Sequence, residues 1–258
     1  MKIKPSAAIA VGLFVVYCVI VSGVWAIVGF DYDTVADSVQ NVREGIVVPI
    51  GLGAAYLAVA ATVLGWWRPS LFERVRVGSG WMFVAPVAMV GVVVLNLATA
   101  EWDDVSGEFL LWLAIGTAFV GFSEEMLTRG LAIVGFRGSM PERWVWLASC
   151  AMFAVLHSLN AFFGQGVGGT LQQMVFAFAA GIAFYVTRRI TGTILVTMVI
   201  HMLWDFSTIT VDHSGNDASP GGSFLILIAV VVGIVALVKI LKTGDVEPDT
   251  VESSAGSR

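Results

Sequence analysis

The sequence predicts an all-α, polytopic membrane protein whose roughly eight transmembrane helices enclose a buried polar cavity. Three observations lead to this fold class. The composition is 57% hydrophobic with a mean hydropathy of +0.87, and only 13% of the residues are charged, whereas soluble domains carry about 25% charged residues. The apolar residues fall into runs of about 20, the length that crosses a hydrocarbon core. Several ionisable side chains lie inside these runs rather than between them.

Eight apolar runs are long enough to span a membrane. In chain order they cover about residues 7–29, 45–66, 81–100, 108–135, 143–162, 168–187, 193–211 and 223–241. The first run is too long for the core of a signal peptide, so we interpret it as a retained helix. Residues 1–242 are therefore predicted to form one integral membrane domain. Residues 243–258, rich in acidic, Gly and Ser residues, are predicted to be a disordered cytoplasmic tail.

The charges of the connections predict the orientation of the spans. Of the 14 basic residues, 12 lie in the terminal segments and in alternate connections, such as Arg137 after span four and the pair Arg188–Arg189 after span six. Cytoplasmic loops are enriched in Lys and Arg. Both termini are therefore predicted to be cytoplasmic, and the short loops favour a plasma membrane.

The fourth run contains two adjacent acids, Glu124 and Glu125, with Arg129 one turn later. A charge at the centre of a bilayer costs at least ~2.5–3.5 kcal/mol, and ionisable residues there are functional by default. Glu125 and Arg129 are spaced to pair on one helix face. Glu124 projects about 100° away from Glu125 and is expected to face a cavity. The alternative, an ion pair that only holds helices together, applies better to Glu125 and Arg129 than to Glu124.

Two histidines in later runs reach the same predicted depth as Glu124. Counting ~1.5 Å per residue from the nearest basic residue places Glu124 ~20 Å, His157 ~21 Å and His201 ~18 Å from the cytoplasmic surface. Phe153 lies four residues before His157, so its ring can cover one side of the imidazole. Asp205 lies four residues after His201, so its carboxylate can orient that ring.

Side chains of these types can hydrolyse a peptide bond. A carboxylate or an imidazole can take a proton from water, and hydrogen-bond donors such as His201 can stabilise the tetrahedral oxyanion. Glu124, His157 and His201 are also a ligand set that suits Zn²⁺, which lowers the pKa of a bound water. The residues alone leave the metal-free and the zinc versions open.

Three short motifs follow one another on separate apolar runs. They read Glu124-Glu125-x-x-x-Arg129, Phe153-x-x-x-His157 and His201-x-x-x-Asp205. In this order they are similar to the motifs of the CPBP family, which comprises the type II CAAX prenyl proteases and the related bacteriocin-processing or Abi proteins. The resemblance covers about residues 108–211.

The resemblance implies an intramembrane endopeptidase with eight spans. It implies that Glu124 and His157 activate the water, and that His201 and the residue at 205 form the oxyanion site. The family has Asn or Asp at that last position. Because an ionised Asp205 only accepts hydrogen bonds, it would have to act through His201 or in its protonated form. Both a metalloprotease mechanism and a metal-free glutamate mechanism are associated with the family.

The expected partners are the lipid bilayer and a peptide or protein substrate that is prenylated or membrane-associated, with no nucleic acid. Two other functions stay open. A proton-coupled transporter would use the same acids and histidines as a relay, but the inverted repeats and paired broken helices typical of such proteins are not evident in the sequence. A non-catalytic immunity or scaffold protein would keep the fold without the chemistry, although the polar set is intact.

Overall fold

The fold consists of helices in the part of the chain that the structure covers. The structure, a computed structural model, describes residues 1–215 and 220–243. Within those ranges there is no strand, only an isolated antiparallel bridge between Phe72 and Thr193. Eight helices of the same ranges are long and apolar enough to cross a membrane. The predicted fold class is therefore confirmed, and the chain is an all-α, multi-pass membrane protein.

The eight spanning helices, α1 to α8, follow the predicted runs in order. Their bounds are Ala7–Val28, Val39–Leu64, Gly80–Thr99, Gly107–Arg137, Glu142–Phe162, Val167–Thr191, Leu195–His213 and Gly221–Lys242. A short helix, Trp67–Leu71, lies in the connection between α2 and α3. The predicted cytoplasmic tail lies, from residue 244 onwards, outside the described residues.

Sequence signals at the helix ends account for several of these boundaries. The Ser6 hydroxyl accepts the N–H of Ile9 at 3.3 Å and caps the first turn of α1. The Ser106 hydroxyl accepts the N–H of Phe109 at 3.1 Å and caps α4 in the same way. Gly29 ends α1 with a φ of 66°, a left-handed conformation that glycine adopts without strain. The chain therefore turns sharply after α1.

The helices α4 and α7 are in close contact at Gly121. A Cβ atom on Gly121 would lie 2.5 Å from the carbonyl oxygen of Met198 and 3.0 Å from the backbone nitrogen of Met202. Small residues commonly allow membrane helices to approach each other in this way. The contact places the acidic pair of α4 beside His201 of α7.

We expect Gly121→Ala to push α4 and α7 apart. Overpacking of this kind costs about 1–3 kcal/mol, and the added methyl group meets backbone atoms that cannot rotate away. Thermal unfolding in detergent measures the loss of stability. Gly23→Ala is the matched control, because a Cβ atom at Gly23 has no neighbour within 4 Å. Equal melting temperatures for the two variants would contradict the close contact.

The helix of the acidic pair is irregular directly after Glu125. Residues Met126–Leu131 form a π turn inside α4. Such turns are rare and interrupt the regular hydrogen-bond ladder, and they occur frequently at functional sites. Arg188 of α6 donates to the carbonyl oxygen of Arg129, within this turn. A second helix thus holds the irregular turn in place.

Arg188 and Arg189 are not loop residues, contrary to the prediction. Both lie in α6 and are fully buried. Arg188 donates to Glu73 at 2.5 Å, and Arg189 donates to Glu142 at 2.8 Å. Arg137, also inside a helix, binds both carboxylates, at 3.0 Å and 2.7 Å. The network explains why these charges enter helices, because each arginine has a buried carboxylate as its partner.

We expect Glu73 to stabilise the fold down to strongly acidic pH. Burial alone would raise its pKa, but Arg188 and Arg137 outweigh burial and hold the pKa of Glu73 at about 2, below the ordinary 4.5. A lowered pKa in the folded state means that the stabilisation is complete above pH 4.5 and is lost as the pH falls towards 2.

Glu73→Gln should therefore lower the unfolding temperature at neutral pH and flatten its dependence on pH between 4.5 and 2. The loss is on the order of 3 kcal/mol. Melting curves of the detergent-solubilised protein across this range measure both effects. Glu101→Gln, at an exposed position, serves as the control. An unchanged pH profile in Glu73→Gln would show that the Glu73 carboxylate does not carry the effect.

Candidate active site

A cavity of about 440 Å³ lies among the helices, and each of the eight contributes side chains to its lining. Most of the lining is apolar. The four predicted catalytic residues all line it, although they come from three helices: Glu124 from α4, His157 from α5, and His201 and Asp205 from α7. The structure thus brings the three sequence motifs together around one space.

His201 lies at the centre of this group. Its Nδ1 atom is 3.1 Å from Oε1 of Glu125. Its Nε2 atom lies 3.8 Å from Oε2 of Glu124 and 3.6 Å from Oδ2 of Asp205. The imidazole therefore contacts one carboxylate on the Nδ1 side and faces two more on the Nε2 side.

The two adjacent glutamates have different surroundings. Glu125 is fully buried and accepts a hydrogen bond from Arg129 at 2.9 Å, the i,i+4 pair that the spacing indicates. The side chain of Glu124 keeps 13% of its exposure and lines the cavity. The Oε2 atom of Glu124 is buried and has no hydrogen-bond partner within the described residues. This oxygen therefore keeps acceptor capacity that no hydrogen bond of the described residues uses.

Arg129 is held against two aromatic rings. Its guanidinium carbon lies 4.0 Å from the centre of the Phe153 ring and 5.2 Å from that of Phe184. Guanidinium groups are attracted to aromatic faces, most strongly where water is excluded. A Cβ atom on Gly181 would lie 2.9 Å from the Arg129 guanidinium, so the absence of a side chain at 181 makes room for the charge.

His157 has a defined tautomer when neutral. Its Nδ1 atom lies 2.8 Å from the carbonyl oxygen of Phe153, to which it donates. The Nε2 atom is then the unprotonated nitrogen of the neutral ring. The Phe153 ring stands edge-on to the imidazole at 4.9 Å, as the i,i+4 spacing indicates. Phe153 thus contacts His157, Arg129 and, at 5.5 Å, the ring of His201.

Glu124, His157 and His201 are the residues expected to bind zinc if the site holds one. Their donor atoms are of the right chemical types. Within the residues that the structure describes, however, no three His, Cys, Asp or Glu side chains are grouped closely enough to share a metal ion. We therefore assign no metal ligand set and derive no step through a metal.

Several polar residues of the cavity were not predicted from the sequence. Tyr17, Tyr32 and Asn160 line it without having been predicted. Gln173 lines it as well, one of the two positions, interfacial or cavity-lining, that the sequence leaves open for this residue at the start of a span. Neither tyrosine stands out in the sequence, because tyrosine is common near membrane interfaces. Only the three-dimensional contacts reveal these residues, since each comes from a different segment of the chain.

Comparison with known proteins gives two findings. Residues 106–207, the segment that carries all the motif residues, match the family described as type II CAAX prenyl endopeptidase Rce1-like. The chain is also 30% identical, over 190 residues or 71% of its length, to a protein of Mycobacterium leprae named "Probable arabinosyltransferase B". The chain spans only 16% of that protein, so we carry no activity over from it.

Proposed function

From the premise that residues 106–207 belong to the Rce1-like group of the CPBP family, we propose that the chain is an intramembrane endopeptidase. It hydrolyses a peptide bond with a water that Glu124 and His157 activate. The observation that carries the proposal is the Oε2 atom of Glu124. It is buried without a hydrogen-bond partner in the described residues, lies 3.8 Å from Nε2 of His201, and belongs to a residue that lines the same cavity as His157. Oε2 of Glu125 is also unpaired, but Glu125 is held by its ion pair with Arg129. A buried carboxylate is costly to a fold without such a partner, which favours a chemical role for Glu124.

Glu124 acts as the general base in this mechanism. A water bound between Glu124 and His157 gives its proton to the carboxylate as it attacks the carbonyl carbon of the substrate. When the tetrahedral intermediate collapses, the C–N bond breaks and the protonated Glu124 returns the proton to the leaving amine. The unprotonated Nε2 of His157 accepts the second hydrogen bond of that water, which orients the attacking lone pair. The carbonyl of Phe153 keeps His157 in the tautomer that this requires.

His201 stabilises the oxyanion that forms. In the imidazolium form both ring nitrogens donate: Nδ1 donates to Glu125, and Nε2 is left for the substrate oxygen. Asp205 acts through His201, because an ionised carboxylate cannot donate to an oxyanion. Arg129 balances the charge of Glu125, so that the Glu125 carboxylate stays ionised and accepts the hydrogen bond from Nδ1 of His201.

We propose that this hydrolysis needs no metal. The proposal is supported by the spacing of the donor groups in the described residues. Turnover is expected to persist, with kcat unchanged, after dialysis against 1,10-phenanthroline, and to gain nothing from added Zn²⁺. Loss of activity on chelation that added zinc restores would instead place Glu124, His157 and His201 around a bound ion.

The proposed substrates are prenylated or otherwise membrane-associated peptides, with bacteriocin-like peptides as the second class. The proposed location is the cell membrane, with both termini in the cytoplasm. The charge asymmetry of the connections supports this orientation. Reporter fusions at residue 1 and at residue 258 test it, because both should report the cytoplasmic side.

The deciding experiment is cleavage of a fluorogenic farnesylated peptide with a CAAX-type C-terminus by the purified protein in nanodiscs. We expect release of the three residues that follow the modified cysteine, identified by mass spectrometry. The same peptide without the farnesyl group tests whether the lipid is needed. If neither peptide nor a panel of membrane-associated peptides is cleaved, the endopeptidase proposal is wrong, and proton flux in proteoliposomes becomes the next assay.

A further inference from the structure

Tyr32 lines the cavity from a short turn between α1 and α2. The turn, Tyr32–Thr34, begins after Asp31, whose carboxylate accepts the N–H of Asp33 at 3.1 Å. The N–H of Tyr32 donates to the carbonyl oxygen of Phe163 at 2.6 Å, which fixes the turn to the segment that follows α5. The phenol is thereby held over the cavity that Glu124 lines.

The docking of this turn is specific. Gly164 has a φ of 104°, and a Cβ atom at Gly164 would lie 1.9 Å from the Asp31 carboxylate. A residue with a side chain at 164 would have to adopt a left-handed φ and displace the Asp31 carboxylate that caps the turn. The position of Tyr32 is therefore set by the same loop that follows His157.

Two side-chain amides form a chain of hydrogen bonds that ends at Tyr32. Asn160 donates from Nδ2 to Oε1 of Gln173 at 2.8 Å, and Gln173 donates from Nε2 to the Tyr32 oxygen at 2.8 Å. The phenol oxygen is thus an acceptor in this chain. Its own proton has no acceptor within the described residues, so the O–H is available as a donor.

The other tyrosine of the cavity does not offer such a donor. The Ser123 hydroxyl gives its proton to the carbonyl oxygen of Phe119 at 2.7 Å, so the Tyr17 hydroxyl, 3.1 Å from Ser123, must donate to the serine oxygen. Of the two phenols that line the cavity, Tyr32 alone keeps an uncommitted proton. It also keeps that proton at neutral pH: burial first, and then Asp205 and Glu124, raise the pKa of Tyr32 to about 12.

We infer that Tyr32 is a further catalytic residue whose hydroxyl donates a hydrogen bond to the carbonyl oxygen of the substrate as it becomes an oxyanion. The inference rests on the proposed function. The Tyr32 hydroxyl would supply the second hydrogen-bond donor that the motif His201-x-x-x-Asp205 lacks. Asp205 cannot donate as a carboxylate, and His201 offers only one nitrogen to the cavity. Tyr32 lines the same cavity as His201, and a neutral donor there would complete a two-donor oxyanion site.

The test compares Tyr32→Phe with the wild type on a peptide that the wild type cleaves. Removing the hydroxyl while keeping the ring should lower kcat about 100-fold and leave KM within about threefold, because the hydrogen bond strengthens only as charge develops. Tyr56→Phe, a tyrosine that does not line the cavity, is the matched control and should be fully active. Replacing Tyr32 with 3-fluorotyrosine, which keeps a protonated phenol at neutral pH, should preserve kcat. If only the ring matters, phenylalanine should preserve it as well.

Three outcomes would overturn the inference. If Tyr32→Phe keeps the wild-type kcat, Tyr32 is not an oxyanion donor, and the proposed endopeptidase stands without it. If 3-fluorotyrosine at position 32 has the low kcat of Tyr32→Phe in a variant that melts like the wild type, the loss does not arise from the missing donor. If the wild type cleaves no peptide at all, the proposed function fails and the inference fails with it.

Discussion

Glu124→Gln is expected to lower kcat by about 10²–10⁴-fold, the contribution typical of a general base, with little change in KM. The amide has nearly the shape of the carboxylate, so the cavity keeps its form, but it cannot take a proton from water. Stability is expected to stay the same or to rise, because the Oε2 atom of Glu124 is buried without a partner in the described residues and an amide costs less to bury than a carboxylate.

The assay is peptide cleavage at saturating substrate, with thermal unfolding measured on the same preparations. Glu108→Gln is the matched control, since Glu108 is an exposed acid in the first turn of the same helix. A Glu124→Gln variant that folds and turns over like the wild type would falsify the assignment of Glu124 as the base. A variant that loses both activity and stability would point instead to a structural role for the carboxylate.

Arg129→Met is expected to destabilise the protein by about 3–5 kcal/mol, the usual result of removing one partner from a buried ion pair. Glu125 is fully buried and, among the described residues, would keep His201 as its ion-pair partner. The guanidinium stack on Phe153 would also be lost. The rate of cleavage should fall together with the stability, because the contact between Nδ1 of His201 and Glu125 positions the imidazole.

The double variant Glu125→Gln/Arg129→Met distinguishes two causes of the lost stability, an uncompensated buried charge and the lost packing of the arginine side chain. Replacing both charges by neutral groups removes the uncompensated buried carboxylate, so the double variant should be more stable than Arg129→Met alone. It should nevertheless remain poorly active, because His201 no longer has an anionic partner at Nδ1. If the single and double variants melt at the same temperature, the ion pair does not account for the loss.

The fold could be predicted because the length of an apolar run is fixed by the thickness of a membrane. Pairs within one helix were also accessible, since i,i+4 spacing alone places Glu125 beside Arg129. The grouping of Glu124, His157 and His201 was predicted from their equal depths. That estimate used Arg137, Arg143 and Arg189 as loop residues, although all three lie inside helices. It still placed the three residues in one cavity, because Arg137 and Arg189 both bind Glu142, the residue before Arg143, so the three reference points lie at the same ends of their helices.

Contacts between distant segments could not be predicted in this way. The pairing of Arg188 with Glu73 depends on how α6 packs against the connection between α2 and α3, and no spacing rule relates these positions. Phe184, which stacks on His201 at 5.2 Å, looks like any apolar residue of a span. Tyr32 lies in a connection, where its place at the cavity follows only from the docking of its turn.

The π turn at Met126–Leu131 has a consequence for how α4 tolerates insertions and deletions. It accommodates about one residue more than a regular helix would, so the segments on its two sides are out of phase by about 100°. The segment before the turn presents Glu124 to the cavity, and the segment after it packs Gly135 against Ala10 of α1. Deleting a single residue from this turn would rotate Gly135 off α1 while leaving Glu124 in place. The extra residue in the turn thus lets α4 direct Glu124 to the cavity and Gly135 to α1, two directions that a regular helix would not present at this spacing.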